Sequence, residues 1–167
     1  MLKDARLLKL AARSGCRGLF VGLESLSQSA LQHWGKNFNA GVSYRDAIAR
    51  LHDHGIGVIG SFIFGADEDD PDVFDRTVEF VEKSHLDAAQ FSILTPFPGT
   101  KLFSMIKDRI FHFNWDLFDG AHSVFKLDYL TKEQIEGLLR KAYRKFYLRA
   151  SRIPQSVSYT HLTLPTN

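Results

Sequence analysis

Apolar positions along the chain alternate between two patterns, one at helical spacing and one in short unbroken runs. Leu7, Leu8 and Ala11 recur at helical spacing within residues 3–14, and Gly15 is placed to end that helix. "GLFVGLES" follows, an apolar run closing on Glu24 and Ser25. Nearly continuous apolar runs of this kind predict parallel strands covered on both faces. Ser27 to Leu31 predicts a short helix before a loop. Ser43 opens a clearer helix, with Tyr44, Ala47, Ile48 and Leu51 on one face and Gly55 closing it. "GVIGSFIFG", residues 57–65, is a second strand. After the acidic "ADEDD", Asp70 is placed to cap a helix with Pro71 at its first position and Phe74, Thr77, Val78 and Val81 turned inward. A third strand runs from about Ala88 to Thr95 and stops in "PFPGT", because Pro96 and Pro98 have no N–H for a ladder. A short helix near Leu102 to Lys107 follows.

This alternation predicts an α/β fold with three parallel strands, at 18–24, 57–65 and 88–95, adjacent in chain order, with helices packed on one side. Chemistry in such folds sits beyond the carboxyl ends of the strands. Those ends are Glu24–Ser25, Gly65 to Glu68 and Thr95 to Thr100, so the prolines form a stiff rim at the ligand-facing end. Residues 111–130 are aromatic-rich with no clean period, either an irregular wrap over the sheet or a cover for a ligand. Thr131 and Gln134 form a capping box for a long helix with the stripe Ile135, Leu138, Leu139, Ala142 and Phe146. Its outer face and end carry Arg140, Lys141, Arg144, Lys145, Arg149 and Arg152, read as a solvated face that also suits a helix C-terminus.

Composition narrows the classes. With 167 residues and 44% hydrophobic content the chain can bury a core. A net charge of +2 gives no field that argues for nucleic acid or membrane. No apolar run approaches the roughly 20 residues of a membrane span, and the amphipathic N-terminus lacks signal-peptide features, so a cytoplasmic protein is the default expectation. Cys16 is the sole cysteine, which excludes a disulfide or a cysteine-built metal site within the chain, and it reads as structural. The run Asp67 to Asp70 reads as a solvated loop feeding a helix N-terminus rather than a metal site. His52 and His54 read as exposed, and His112 and His122 carry no assigned role.

"GLFVGLES", "GSFIFGADEDD" and "ILTPFPGT", each at a strand end and in this order, resemble the second half of the radical S-adenosylmethionine (SAM) barrel, above all in members with an upstream cobalamin-binding domain. The resemblance covers residues 1–105 closely and 106–152 loosely. It implies the C-terminal half of a partial (β/α)6 TIM-like barrel, with SAM, a [4Fe–4S] cluster and, in the cobalamin-binding members, cobalamin as cofactors. Glu24 and Ser25 then face the ribose or amino-acid part of SAM. The family's G-x-I-x-G-x-x-E reads here Ser61, Ile63, Gly65 and Glu68: Ile63 meets the adenine, Gly65 lets backbone approach it, and Glu68 holds the turn. Ser61 replaces the first glycine. Leu94, Thr95 and Pro96 offer backbone polar groups and an apolar surface to the adenine edge.

The family's C-x-x-x-C-x-x-C loop is absent, and three strands stand where six are expected. Both departures fit a fragment whose missing partner is the N-terminal half of its own chain, with Met1 an internal methionine. The expected divisions are 1–110, the barrel half; 111–153, the aromatic segment and C-terminal helix; and 154–167, a non-native tail. "SVSYTHLTLPTN" resembles a translated sequencing-adapter tail and is set aside from fold reasoning. No residue is assigned catalytic or metal-ligating. The rival readings are a non-catalytic α/β module binding a nucleotide or partner, and an aldolase-like barrel. The latter is weakened because no lysine sits at a strand end. Deleting residues 156–167 should leave the thermal midpoint unchanged, since unpacked tails add little; a clear drop in a melting experiment would make the tail part of the fold.

Overall fold

The computed structural model describes residues 4–26, 43–67, 69 and 72–148. The order is α1 (Ala5–Arg13), β1 (Gly18–Glu24), α2 (Tyr44–His52), β2 (Gly57–Phe64), α3 (Val73–Lys83), β3 (Ala88–Ile93), α4 (Lys101–Ile106) and α5 (Lys132–Tyr147), with 3-10 turns at Lys107–Arg109 and Trp115–Leu117. The strands form one parallel sheet in the order β1-β2-β3, as the alternation predicts. The expected short helix at 27–31, the Asp70 cap, Pro71 and the tail lie outside the described residues. α3 starts at Val73 with Asp72 at its N-cap.

Local chemistry sets the helix starts. Asp4 accepts from the backbone N–H groups of Arg6 and Leu7, Ser43 from that of Asp46, and Thr100 from that of Phe103, each satisfying a donor that a helix cannot pair internally. Thr131 and Gln134 make both bonds of the capping box, 3.3 Å and 2.8 Å. The α1 stripe is narrower than its spacing predicts: Leu8 is fully buried, whereas Leu7 and Leu10 are exposed.

Strand alternation puts Leu23, Val58, Phe62, Phe64, Ala89, Phe91 and Ile93 into the core on one face of the sheet. Phe74 of α3 stacks on Phe64 at 3.9 Å between centroids, and Tyr143 and Phe146 of α5 meet Phe91 edge-on. The helices therefore share one side. The other face corrects the expectation of burial on both sides: Phe20 is 60% exposed and Ile59 is 40% exposed, and Gln90 is exposed as well. The runs are nearly continuous because this second face is itself largely apolar, not because anything among the described residues covers it.

At the amino end of the sheet, Asp87 Oδ2 accepts from the Val58 N–H at 2.7 Å and lies 2.8 Å from His52 Nε2. His52 and His54 are thus half-buried and engaged, His54 Nδ1 lying 2.8 Å from the Arg50 carbonyl oxygen, where exposed side chains were expected. Cys16 is half-buried with Sγ 3.6 Å from the Gly18 carbonyl oxygen, in keeping with a structural role.

The far edge of β3 is closed by side chains instead of a strand. The Tyr143 hydroxyl accepts from the Phe91 N–H (3.0 Å) and donates to the Phe91 carbonyl oxygen (2.8 Å). The Tyr147 hydroxyl does the same at Ala89, at 3.0 Å and 2.7 Å. One hydroxyl can do both because it has one proton and two lone pairs. Ile93 N–H, next along the edge, donates to the Gly120 carbonyl oxygen at 2.6 Å. The geometry works because four helical residues rise ~6 Å and two strand residues ~6.6 Å, so two tyrosines one turn apart match alternate strand positions. Lys141 and Lys145, on the same helix, both reach Asp75 of α3 at 3.3 Å.

Replacing both tyrosines by phenylalanine keeps the rings and strips the seal. The double variant should lose about 1–3 kcal/mol, read as a lower urea midpoint, and amide exchange at Ala89 and Phe91 should accelerate while that at Phe62 holds. Unchanged exchange at both edge positions would mean that the hydroxyls do not close the strand.

Candidate functional site

The carboxyl end of β1 is irregular. Its register with β2 slips between Gly22, which pairs with Ser61, and Glu24, which pairs with Phe62. Glu24 adopts φ 66°, the left-handed region that non-glycine residues rarely occupy. The bend folds its side chain back along the strand: a Cβ built on Gly22 would lie 2.6 Å from Glu24 Oε1 and 3.3 Å from Cδ. Gly22 shares the open face with Phe20, so the carboxylate lies over that face. Tyr44, the first residue of α2, donates from its hydroxyl to the Leu23 carbonyl oxygen at 3.2 Å, and the Ser25 N–H donates to the same oxygen at 2.9 Å. Burial, and then the charge of Glu24, push the Tyr44 phenol pKa above its ordinary value. Ser25 itself is buried.

On β2, Ser61 and Ile63 sit half-buried on the open face. Gly65 then turns the chain at φ 100°. Its N–H and that of Ala66 donate to Asp69 Oδ2, at 2.8 Å and 3.1 Å. Asp67 is held by Arg109 through two parallel bonds, 2.8 Å and 2.7 Å. Arg109 also donates to the Lys126 carbonyl oxygen and lies over the Phe125 ring. The hydrogen bonds to Asp67 hold its guanidinium pKa above its already high value. The acidic loop is thus built into the fold at Asp67 and Asp69, which corrects its reading as a merely solvated run. Glu68 lies outside the described residues.

At the end of β3, the Leu94 N–H donates to the Phe64 carbonyl oxygen at 2.7 Å. Thr95 is buried and its hydroxyl donates to the Ile93 carbonyl oxygen at 2.9 Å; Pro96 is buried beside it and Leu94 is half-buried. The rim is therefore rigid, with the Thr95 side chain satisfied by backbone. The expected site residues separate into two groups. Glu24, Ser61 and Ile63 share the open face, while Ser25, Thr95 and Pro96 are buried at the strand ends.

Three residues here escaped the sequence reading: Gly22, Arg109 and Gln90. Gln90 was legible in principle, because Ala88, Gln90 and Ser92 alternate with the apolar Ala89, Phe91 and Ile93. Gly22 and Arg109 were not, since one depends on a strand bulge and the other on a partner 42 residues away. His122, in the aromatic segment, pairs with Asp119 at 2.9 Å. Among the described residues no group of three or more His, Cys, Asp or Glu side chains is arranged to hold a metal, and no helix is long and apolar enough to cross a membrane.

No protein-family model matches the chain. Among curated proteins it is similar to the bacteriochlorophyllide d C-12(1)-methyltransferase of Chlorobaculum tepidum, 37% identical over 146 residues, covering 87% of this chain and 32% of that protein. It is 35% identical over 148 residues to an uncharacterized methyltransferase of Pyrococcus horikoshii, covering 87% of this chain and 32% of the relative. The bacteriochlorophyllide d C-8(2)-methyltransferase of C. tepidum is 29% identical over 149 residues, 87% of this chain and 33% of its own length. The chain spans about a third of the length of the curated relatives it matches.

Proposed function

We propose that this chain is the C-terminal half of the barrel of a radical SAM enzyme, and that its share of the activity is to hold SAM against the open face of the sheet. The observation that carries this reading is the open face itself: three parallel strands, helices on one side only, and a carboxylate folded over the uncovered side at the strand ends. Such a face suits the interior of a barrel whose other strands lie elsewhere in a longer chain. Similarity to methyltransferases, confined to about a third of their length, supports both the enzyme class and the fragment. Methyl transfer is the proposed outcome, with cobalamin as the carrier if the parent has the upstream domain that the resemblance implies.

The residues present fit one cofactor and not the other. Glu24 can accept hydrogen bonds from ribose hydroxyls or an ammonium group, and Ile63 offers an apolar surface on the same face. Gly65 does not clear space for a ring there, because a Cβ on it would meet Ile135 and Leu127 of the core. Ser25, Leu94, Thr95 and Pro96 remain in the proposed binding rim through their backbone or neighbouring position. A [4Fe–4S] cluster needs three thiolates from the protein, and this chain has one cysteine, so these residues alone do not hold a cluster. When bound in the parent, the cluster supplies the electron that cleaves SAM. This chain's residues would orient the nucleoside.

The test is recovery of the upstream coding sequence, followed by anaerobic reconstitution of the joined protein with iron and sulfide and an assay for 5′-deoxyadenosine. The joined protein should show a cluster spectrum and product, and the present chain neither. In the joined protein, Glu24→Ala should lower SAM cleavage ~10-fold or more while leaving the cluster spectrum intact, a loss of about 1.4 kcal/mol in transition-state stabilisation. An upstream sequence without cysteines would overturn the enzyme reading, and cleavage at the unmutated rate would remove the role given to Glu24.

A further inference from the structure

The net charge of +2 conceals an uneven distribution. Residues 137–153 carry six of the 21 Lys and Arg residues and none of the 19 acids, which all lie before Gly137. Within the described residues this excess sits on the outer side of α5. Gly137, Arg140, Lys141, Arg144, Lys145 and Leu148 recur at three- and four-residue spacing, so they share one face. Together they line a shallow groove of about 560 Å³. Two acids of α3 interact with this face, and both are already engaged. Asp75 bridges Lys141 and Lys145, at 3.3 Å each, and Glu79 pairs with Lys83. Arg140 and Arg144 are exposed and have no hydrogen bond or ion pair among the described residues. Two details distinguish the groove from an ordinary solvated face. Leu148, at one end, is 68% exposed. Gly137, at the other, is required by neither packing nor backbone: a Cβ there would meet only Arg140 Nη2, at 4.0 Å, and its φ is not in the left-handed region. Glycine weakens a helix interior, so its presence here serves something outside the helix.

We propose that the outer face of α5 docks on an anionic membrane surface, with Arg140 and Arg144 holding lipid phosphates and Leu148 entering the headgroup layer. The inference goes beyond SAM binding and does not rest on it. A guanidinium presents parallel donors that match two oxygens of one phosphate, and it sheds water more readily than an ammonium. Two unpaired arginines one turn apart therefore suit neighbouring phosphates. Lys141 and Lys145 hold Asp75 between them, which keeps the nearest carboxylate from repelling those phosphates. Gly137 leaves the floor of the groove open to a headgroup. A cluster of four to eight cations on a helix suits an anionic leaflet, and the sequence continues the basic run with Arg149 and Arg152. The contact lies on the membrane instead of crossing it. The Tyr143 and Tyr147 hydroxyls bind the inner side of the helix to β3, so docking needs no unfolding of α5. Nucleic acid fits the face less well, because the line contains no aromatic ring on which a base could stack.

The experiment is co-sedimentation of the 167-residue chain with vesicles of phosphatidylcholine, with and without about 30% phosphatidylserine to make the surface anionic. The chain should sediment with the anionic vesicles and stay in solution with phosphatidylcholine alone. Raising the salt from about 0.05 M to about 0.5 M should release it, since the charges are exposed and screened. Arg140→Gln combined with Arg144→Gln should weaken binding about 25-fold, at about 5-fold per cation. Its thermal midpoint should hold, because neither arginine has a partner to lose. Leu148→Gln keeps the charge and should weaken binding about 5-fold; it carries the test if the arginine variant melts lower. Arg6→Gln combined with Lys9→Gln removes the same charge from exposed positions of α1 and should leave binding unchanged. A short single-stranded RNA and inorganic phosphate, each at the phosphate concentration of the vesicles, should fail to displace the chain. No binding to anionic vesicles, equal binding to phosphatidylcholine, or an equal loss in the α1 variant would overturn the proposal. Displacement by RNA would make the face a nucleic-acid contact, and displacement by inorganic phosphate a small-anion site; either also overturns it. If the joined parent cleaves SAM while the chain ignores anionic vesicles, the enzyme reading stands and this one falls. If the parent fails to cleave SAM while vesicle binding follows the arginines, the reverse holds.

Discussion

Two tyrosine hydroxyls hold the last strand in place, and much of the described structure depends on that closure. β3 is an edge strand, and its outward N–H and C=O groups would otherwise need water or another chain. Tyr143 and Tyr147 meet them residue for residue, and Gly120 continues the pattern at Ile93. The same bonds fix α5 against the sheet, which buries Ile135, Leu139, Ala142 and Phe146. They also anchor one end of the stretch that carries Arg109, so the loop after β2 is tied through Asp67 to the same assembly. The rim at the strand ends is therefore stiff for two reasons, proline at β3 and an arginine fork at β2.

Stiffness there contrasts with the deviation stored at β1. Glu24 is in a left-handed conformation, a state costing of order 1–3 kcal/mol that persists only where its surroundings enforce it. Tyr44 and Ser25 provide part of that enforcement by converging on the Leu23 carbonyl oxygen. The product is a carboxylate turned back over the sheet instead of outward at the rim. A regular strand end would have given this fold the same core and a different open face.

Much of the fold was legible because it follows from local rules. The Ser43 and Thr131 starts, the three parallel strands and the inner faces of α3 and α5 all appear where spacing and capping chemistry put them. What was not legible depends on pairs distant in sequence. Tyr143 and Tyr147 read as ordinary helix residues until Phe91 and Ala89 lie beside them, 52 and 58 positions away in the chain. The open face was misread because an apolar run looks the same whether a helix or nothing lies against its second side; Phe20 and Ile59 illustrate this. At the site, Glu24 and Ser61 were found through their position at strand ends and in a motif. The part played by Gly22 could not be read from composition or period, since it exists only where a bulge turns a side chain two residues on back over a missing Cβ.

The tyrosine seal also sets the valence of the sheet. A sheet with two bare edges can add neighbours at both sides and so extend without limit, as fibrils do. Here β3 has its outward groups already satisfied at Ala89, Phe91 and Ile93, so only the β1 side can take another strand. A piece that joins at one side alone can pair once and then stops. The seal thus gives the sheet a direction of growth, away from α5, and makes it a terminator for strand addition rather than a link in a chain.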